Sequence, residues 1–385
     1  MSTNFKTFAS KVFNWFKANF IFTIAVIVAI VSCFIVPPSK AYGTYFEGSG
    51  ETLTCIFSIL IIVAGLENID FFHKVARFIV KKFKTVRSII LTLIFITYIS
   101  ALVNANDMAL LTFLPLSFLV LKYTGNTKYL AFTFVMQNIA SNLGGMLSPI
   151  GNPQNIYLFS YYNIGLLEFF KLMAIPTLCA LIMIVVVCLF IKPVKVEYND
   201  EYDHKLHLPK LIVYAVLFVL TFLVVCNIIP WYIVLPIVVV AMAVCDWKTF
   251  LKVDYTIPLT FVAFFIFSGN MARIPSIAKL MRNFADTQTF LCAYLSCQLI
   301  SNVPTSILLS KFTGNYPALL VSVNVASLGI IFSSLSGVIA LKCFLKYRPK
   351  EDKHGAWYYI GLDLLINLAM LVILYPVSYF SLMLW

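Results

Sequence analysis

The chain has 385 residues, of which 61% are hydrophobic and 11% are charged, and its formal net charge is +12 at pH 7. A soluble globular chain has about 25% charged residues, and the apolar residues here come in runs long enough to cross a bilayer, which excludes a soluble protein. The Lys and Arg residues cluster in the loops between these runs, as in cytoplasmic loops, so the charge does not call for a nucleic-acid partner. The composition predicts an all-α polytopic membrane protein surrounded by a lipid bilayer.

The first apolar runs predict two membrane spans. Residues 18–37 form a retained N-terminal anchor, with the N-terminus in the cytoplasm. Residues 52–66 form a second span, which runs into a basic amphipathic stretch at 71–86 that suits the membrane surface.

The next apolar stretch, 89–121, is interrupted near its middle by a polar segment at Asn106. A continuous helix of about 33 residues would be near 50 Å long, too long for a perpendicular crossing of a hydrocarbon core of about 30 Å. We therefore expect a re-entrant hairpin over 88–121, made of two half-length helices with the tip at Asn106.

The segment 129–159 is apolar at its ends and holds prolines, glycines and amides in its centre. Such residues do not sustain a regular helix, so the segment predicts a span with an unwound centre. Full spans are predicted at 167–191, 211–228 and 231–245, and the charged loop 192–210 is predicted to be cytoplasmic.

The same order of elements returns in the second half of the chain. It comprises a span, a surface helix, a hairpin with its tip at Ser301, a broken span and a full span. These are predicted at 256–270, 272–286, 288–311, 316–345 and about 356–383. Counting the crossings opens the first hairpin to the cytoplasm and the second to the outside, which predicts an inverted repeat with two re-entrant hairpins and two discontinuous transmembrane helices.

The chain is accordingly divided into four parts. Residues 1–49 form an anchor belonging to a scaffold, and 50–193 form the first repeat. Residues 194–255 hold the cytoplasmic loop and linking spans, and 256–385 form the second repeat.

The two hairpin tips predict a binding site for a small anion. Each tip begins a half-helix whose free N–H groups and dipole stabilise negative charge without Arg or Lys. The alternative is that these residues only cap helix ends, but the paired occurrence in two halves favours a site. The predicted substrate-binding residues are Asn106, Ser301, Asn302, Thr305, Ser148 and Asn152.

The unwound centres predict a site for a coupling ion. Freed carbonyls at 140–144 and 326–329 are hard oxygen ligands of the kind that bind Na⁺ in such folds, although the glycines there could serve only close helix packing. Asp107 could ligate a cation or take up a proton, and Asp363, one turn before Asn367, is a second acidic candidate. The predicted cation-coupling residues are Asp107, Asn138, Ser141, Asn142, Gly144, Asn324, Ala326 and Ser327. Beyond Na⁺ or H⁺ as the coupling ion, the sequence predicts no cofactor and no metal site.

These motifs resemble the ion-transporter superfamily, which includes citrate-transporter-like permeases, divalent-anion/sodium symporters and arsenite permeases. The most specific is the Ser-Pro-Ile-Gly-Asn-Pro-Gln-Asn run at 148–155. The others are Asn106-Asp107, Ser301-Asn302-Val303-Pro304 and the run 323–329. The resemblance implies a secondary transporter of small anions in the inner (plasma) membrane, a homodimer whose transport domain moves like an elevator against a scaffold.

In the symporter branch a Ser-Asn-Thr triplet at each tip contacts the substrate carboxylate. Here Val303 stands in the third place of the second tip, and the first tip reads Ala105-Asn106-Asp107. The Asn-Asp pair is closer to the arsenite and citrate-permease branches.

The predicted function is therefore secondary active transport of a carboxylate, such as citrate or a dicarboxylate, coupled to Na⁺ or H⁺. Efflux of arsenite or another oxyanion, and an uncoupled anion facilitator or channel, remain alternatives. An integral membrane enzyme is not expected, because the sequence contains neither a His-Glu-x-x-His nor a Gly-x-Ser-x-Gly motif.

Overall fold

The fold is described from a computed structural model. It describes residues 19–38, 40–46, 49–71, 74, 84–103, 106–195, 207–225, 228–276, 279, 282–284, 288–348 and 355–384. Residues 1–18 and 104–105 lie outside this part of the chain, as do most of the surface stretch predicted at 71–86, a smaller part of the stretch predicted at 272–286 and most of the charged loop 192–210. Within the described part the secondary structure is helical, and the only extended pairing is an isolated bridge between Thr85 and Lys195.

The helices are numbered in chain order. In the first half they are α1 (Phe20–Ile35), α2 (Ser49–Asn68), α3 (Val86–Val103), α4 (Asn106–Tyr123), α5 (Leu130–Gly145), α6 (Pro153–Tyr161) and α7 (Leu166–Leu189). In the second half they are α8 (Leu208–Val225), α9 (Trp231–Asp246), α10 (Thr256–Arg273), α11 (Thr289–Ile300), α12 (Asn302–Leu309), α13 (Tyr316–Val325), α14 (Leu335–Tyr347) and α15 (Ala356–Ser381).

Several of these helices can cross a bilayer by length and composition, which confirms a polytopic membrane protein. The segments that meet both criteria are Gly50–Asn68, Val86–Val103, Leu166–Leu189, Trp231–Leu251 and Ala356–Leu384. Their high apolar content follows from the bilayer, because a lipid-facing helix has no polar face to present.

Both predicted broken spans are split into two helices, but the first break lies later than expected. Helix α5 is continuous through Gly145, so the prediction of an unwound segment at 140–144 is wrong, and the break occupies 146–152. Glycine disfavours a helix, but it is used inside one where a neighbouring backbone comes too close for a side chain. A Cβ on Gly144 would lie 2.4 Å from the carbonyl oxygen of Tyr98 in α3. The second break begins after Val325 and includes 326–329, as expected.

The two predicted hairpins differ in length. Helices α3 and α4 have 18 residues each, about 27 Å of helix, so the predicted run is divided near its middle into two helices, with the second beginning at Asn106 as expected. Helices α11 and α12 have 12 and 8 residues and are short, as predicted. The pair begins at Val86 and ends at Tyr123, two residues beyond each predicted end of the hairpin.

The two halves of the chain pack against each other in exchanged pairs. Helix α4 of the first hairpin contacts α14, and α12 of the second hairpin contacts α6. Likewise α5 contacts α14, and α6 contacts α13. Each hairpin therefore rests on the second part of the broken helix that belongs to the other half.

A second group of helices packs separately. Helix α1 packs on α10, and α2 packs on α8 and α9. We call α1, α2 and α8–α10 the scaffold group, and α3–α7 with α11–α15 the hairpin group. The groups touch mainly where α2 meets α6 and α10 meets α12, and there Ser268 donates a hydrogen bond of 2.9 Å to the Ile307 carbonyl.

Candidate functional site

Both hairpin tips open into one cavity of about 290 Å³. Asn106 and Asp107 at the start of α4, and Ser301 and Asn302 at the start of α12, all line it. Each of these side chains is at least nine-tenths buried. Residues almost two hundred positions apart in sequence are thus brought together at the buried, polar end of the cavity. We call this end, formed by these four residues, the floor.

The tips are held in place by equivalent backbone hydrogen bonds. The Asn106 N–H donates to the Gly151 carbonyl at 3.2 Å, and the Asn302 N–H donates to the Ser333 carbonyl at 3.0 Å. Each acceptor lies two residues before the second part of its own broken helix, at Pro153 or Leu335. A Cβ on Gly151 would lie 2.4 Å from the Gly145 carbonyl oxygen, so this close approach requires glycine.

The second tip combines a strained backbone with a helix N-terminus. Ser301 has φ 74° and ψ 161°, a conformation that is costly for any residue except glycine. The Thr305 hydroxyl donates to the Ser301 carbonyl at 2.8 Å, and the Val303 N–H donates to Asn302 Oδ1 at 2.9 Å. These bonds fix the start of α12 with its partial positive charge beside the cavity.

The first tip presents oxygen atoms instead. Asn106 Nδ2 donates to Asn142 Oδ1 at 2.9 Å, so the amide turns its oxygen away from that bond. Asn106 Oδ1, Asp107 Oδ1 and Gln154 Oε1 are buried and have no hydrogen-bond partner among the described residues. All three side chains line the cavity. Unpartnered buried oxygens are unfavourable, and a cation or a proton beside them would offset that cost.

Beneath the floor, an amide and hydroxyl network joins the two broken helices. Asn142 Nδ2 donates to Ser336 Oγ at 2.7 Å, and Asn152 Nδ2 donates to Asn324 Oδ1 at 3.0 Å. Asn324 Nδ2 donates in turn to Asn155 Oδ1 at 2.6 Å. Buried polar groups that satisfy one another fix a unique packing, so this network sets the relative position of the two breaks.

Other predicted site residues serve the helix ends and breaks. Ser141 and Ser327 occupy equivalent positions, and each hydroxyl donates to the carbonyl three residues earlier in its helix, at 2.8 and 2.7 Å. The Ala326 carbonyl accepts Gln298 Nε2 at 2.9 Å. Ser148 Oγ accepts the Ile150 N–H at 3.3 Å.

The described lining of the cavity excludes several predicted substrate and cation residues. They contribute to the tips, the breaks or the network instead: Thr305, Ser148, Asn152, Asn138, Ser141, Asn142, Gly144, Asn324, Ala326 and Ser327. Of the predicted residues, four line the cavity itself: Asn106, Asp107, Ser301 and Asn302.

The network continues to a second buried acid. Asn138 Nδ2 donates to Asp363 Oδ1 at 3.4 Å, and Asn367 Nδ2 donates to the Asp363 carbonyl at 2.7 Å. Asp363 is 1% exposed. It therefore lies in the interior of the hairpin group, where amide donors surround it.

Some lining residues were not predicted from the sequence. Gln154 lines the cavity, and its position within the 148–155 motif was the sequence feature that could have predicted this. Asp254 and Lys342 lie at the exposed rim. Their signal is weak, because Asp254 lies in a short connection and Lys342 resembles any basic residue near a helix end.

The sequence pattern of the citrate transporter family matches residues 11–329. This chain belongs to the citrate transporter family. It is 30% identical over 293 residues to an uncharacterised transporter of Methanocaldococcus jannaschii, covering 76% of this chain and 80% of that protein. It is 26% identical over 326 residues to the inner membrane protein YbiR of Escherichia coli, covering 83% of this chain and 87% of that protein.

Membership in the citrate transporter family confirms the resemblance noted from the motifs. With the long apolar helices, it makes the chain a multi-pass membrane transporter of anions. The family and the M. jannaschii relative are described as transporters, in agreement with the expectation that the chain is not an enzyme.

Proposed function

We propose that this citrate transporter family member is a secondary active transporter of a small carboxylate, citrate or a dicarboxylate, driven by a Na⁺ or H⁺ gradient across the plasma membrane. The observation that carries the proposal is the convergence of two chemically different tips on one buried cavity. A helix N-terminus on one side and unpartnered oxygens on the other suit an anion and its coupling ion together.

The second tip is the proposed anion side. The start of α12 offers backbone N–H groups and partial positive charge in a low-dielectric place. Ser301 and Asn302 add a hydroxyl and an amide within the same buried floor. Asn106 completes the substrate site through its amide nitrogen, which has two hydrogens and donates one of them to Asn142.

The first tip is the proposed coupling side. Asp107 Oδ1, Asn106 Oδ1 and Gln154 Oε1 are hard oxygen atoms of the kind that small cations prefer. A proton on Asp107 would serve the same purpose, because either one removes an uncompensated charge from the interior. The network residues, among them Asn138, Asn142 and Asn324, hold this tip in register with the breaks.

The packing supports an elevator with inverted repeats. The exchanged contacts between halves are those expected of two related repeats, and the hairpin group meets the scaffold group over a restricted interface. The cavity lies at this interface, since Phe22, Phe261 and Phe264 of the scaffold group line it together with the tips. We further propose re-entrant hairpins and a homodimer formed through the scaffold group.

Uptake by reconstituted vesicles tests the proposal. Labelled citrate, succinate, acetate and arsenite are supplied while a Na⁺ gradient and a pH gradient are imposed separately. We expect accumulation of citrate or succinate against its gradient with one of the two driving ions, and none in vesicles without protein. Flux that ignores both gradients would support the uncoupled facilitator, and transport of arsenite alone would support the oxyanion permease.

A further inference from the structure

The cavity is graded from a buried polar floor to an exposed charged rim. Between them the described wall is mainly apolar, with aromatic side chains from the scaffold group. At the rim, Lys342 and Asp254 line the cavity, and both are exposed. Lys342 is the positively charged side chain among the described lining residues.

One face of α14 forms the path from floor to rim. The residues that line the cavity from this helix follow the spacing i, i+3, i+4, i+7 and i+8, which is one helical stripe. They are Leu335, Val338, Ile339, Lys342 and Cys343. Leu335 adjoins the break whose Ser333 carbonyl accepts the Asn302 N–H.

Lys342 is therefore separated from the floor by seven residues of helix, about 10 Å along the axis. Long side chains on a helix point back toward its N-terminus, which here is the floor end of α14. The apolar stem of a lysine can lie along Val338 and Ile339 while the ammonium group faces the cavity.

We propose that Lys342 is a second binding residue for the substrate's negative charges. It binds one carboxylate at the rim while another carboxylate binds at the second tip. This inference rests on the proposed function. A polycarboxylate can reach both contacts at once, whereas a single-centre oxyanion or a monocarboxylate reaches only one. Lys342 is thus a specificity-determining residue that favours substrates with two separated negative charges.

Asp254 sharpens this selection from the scaffold side of the rim. Its carboxylate accepts the Thr256 N–H at 2.9 Å and so is fixed at the start of α10. A negative group on the scaffold side repels a carboxylate from that wall and leaves the α14 side as the favourable path.

The competing explanation is that Lys342 only marks the cytoplasmic end of α14. Lys346 provides the matched control, because it lies one turn further along the same helix, is exposed and packs over the Tyr347 ring at 5.0 Å. Lys346 does not belong to the described lining of the cavity. A purely topological role would affect both residues equally.

Uptake kinetics of Lys342→Gln and Lys346→Gln in the reconstituted full-length protein test the proposal. For Lys342→Gln we expect KM for citrate or succinate to rise about three- to tenfold with little change in kcat, as for loss of one exposed charge contact. KM for a monocarboxylate should change less than twofold, and Lys342→Arg should restore most of the affinity. Equal effects of the two Gln variants, or equal effects on mono- and polycarboxylates, would overturn it.

A measurement that needs no transport separates this proposal from the proposed function. Cys343 is half-buried and lines the cavity beside Lys342. The rates at which an anionic and a cationic methanethiosulfonate modify this cysteine are followed by mass spectrometry of its peptide. We expect the anionic-to-cationic rate ratio to fall about threefold or more in Lys342→Gln and to fall less in Lys346→Gln, because the Lys346 charge also acts on the Cys343 thiol but lies outside the described lining of the cavity.

The outcomes of the two measurements are distinct. An unchanged ratio in Lys342→Gln refutes the placement of its charge in the cavity, whatever is transported. A lowered ratio without any carboxylate uptake by the unmodified protein refutes the proposed function instead, and with it the substrate contact.

Discussion

The two hairpin tips share a backbone arrangement and differ in chemistry. Each tip asparagine donates its N–H to a carbonyl two residues before a half-helix, at 3.2 Å in the first half and 3.0 Å in the second. The first tip then exposes unpartnered oxygens to the cavity, whereas the second places a strained serine at the start of a short helix. The residue after the asparagine is Asp107 in one and Val303 in the other.

This difference shows that repeated folds need not give repeated sites. The hydrogen bonds of the tip N–H groups depend on the helix breaks, which both halves have, so both tips have the same backbone arrangement. The ligand chemistry depends on single side chains, which can diverge at little structural cost. A transporter that must bind an anion and a coupling ion together gains from such a division between its tips.

Removing either tip asparagine should have the largest effect. We expect Asn106→Ala and Asn302→Ala each to abolish uptake, by about 100-fold or more, because each removes a polar group from a water-poor floor. Initial uptake rates in vesicles, normalised to inserted protein, provide the measurement. Asn126→Ala, in the turn after α4, is the control and should transport normally. Wild-type rates in both tip variants would exclude the assigned site.

Asp107→Asn should separate coupling from substrate binding. The variant keeps the shape of the side chain but removes its charge, so gradient-driven accumulation should fall about tenfold or more. Exchange of labelled for unlabelled substrate across the vesicle membrane should continue. Val303→Asp places a carboxylate at the second tip, where it should weaken anion binding. Accumulation that survives Asp107→Asn would remove this tip from the coupling mechanism.

Substitutions in the network beneath the floor should have an intermediate effect on transport and should act differently on the two tips. Asn142→Ala and Asn324→Ala each leave buried partners unsatisfied, which costs about 1–3 kcal/mol of stability, measurable as lowered unfolding temperatures in detergent. Of these two asparagines, Asn142 is the one that accepts a hydrogen bond from a tip, from Asn106 Nδ2 at 2.9 Å. Asn142→Ala should therefore also change the concentration of coupling ion needed for half-maximal uptake. An equal change in Asn324→Ala would show that the network acts on both tips alike.

The strained serine should give the smallest effect. Glycine adopts the Ser301 backbone conformation without strain, so Ser301→Gly should be more stable than Ser301→Ala by about 1 kcal/mol. At Ser148, which has no positive φ, the order should be reversed because glycine loses more conformational entropy. Thermal unfolding of the four variants provides the comparison, and alanine being the better residue at both positions would contradict strain at Ser301.

The sequence predicted the spans and the positions of both tips because the bilayer imposes strong constraints. Membrane helices require long apolar runs, and an amide such as Asn106 inside one is rare enough to mark a site. Both broken helices were predicted by the same reasoning from proline and glycine.

The errors arise where tertiary contacts decide local structure. Gly144 lies in a continuous helix and allows close approach of the Tyr98 backbone, and no local pattern reveals that neighbour. The cavity residue Lys342 was missed because its place in the lining depends on which face of α14 is turned to the cavity. Most of the predicted cation residues belong to the network for a similar reason, since their partners lie in the other half of the chain.

The exchanged packing of α4 on α14 and α12 on α6 has a consequence for the origin of such a molecule. A protein made of one half alone would keep the contacts between its hairpin and its own broken helix, but it would lack the helix of the other half on which the hairpin also packs, and half of the floor. Two copies inserted in opposite directions would supply both missing pieces to each other. Under the proposed inverted repeat, a protein encoding a single half would make these contacts only as an antiparallel pair, and duplication of its gene would leave the two tips free to differ.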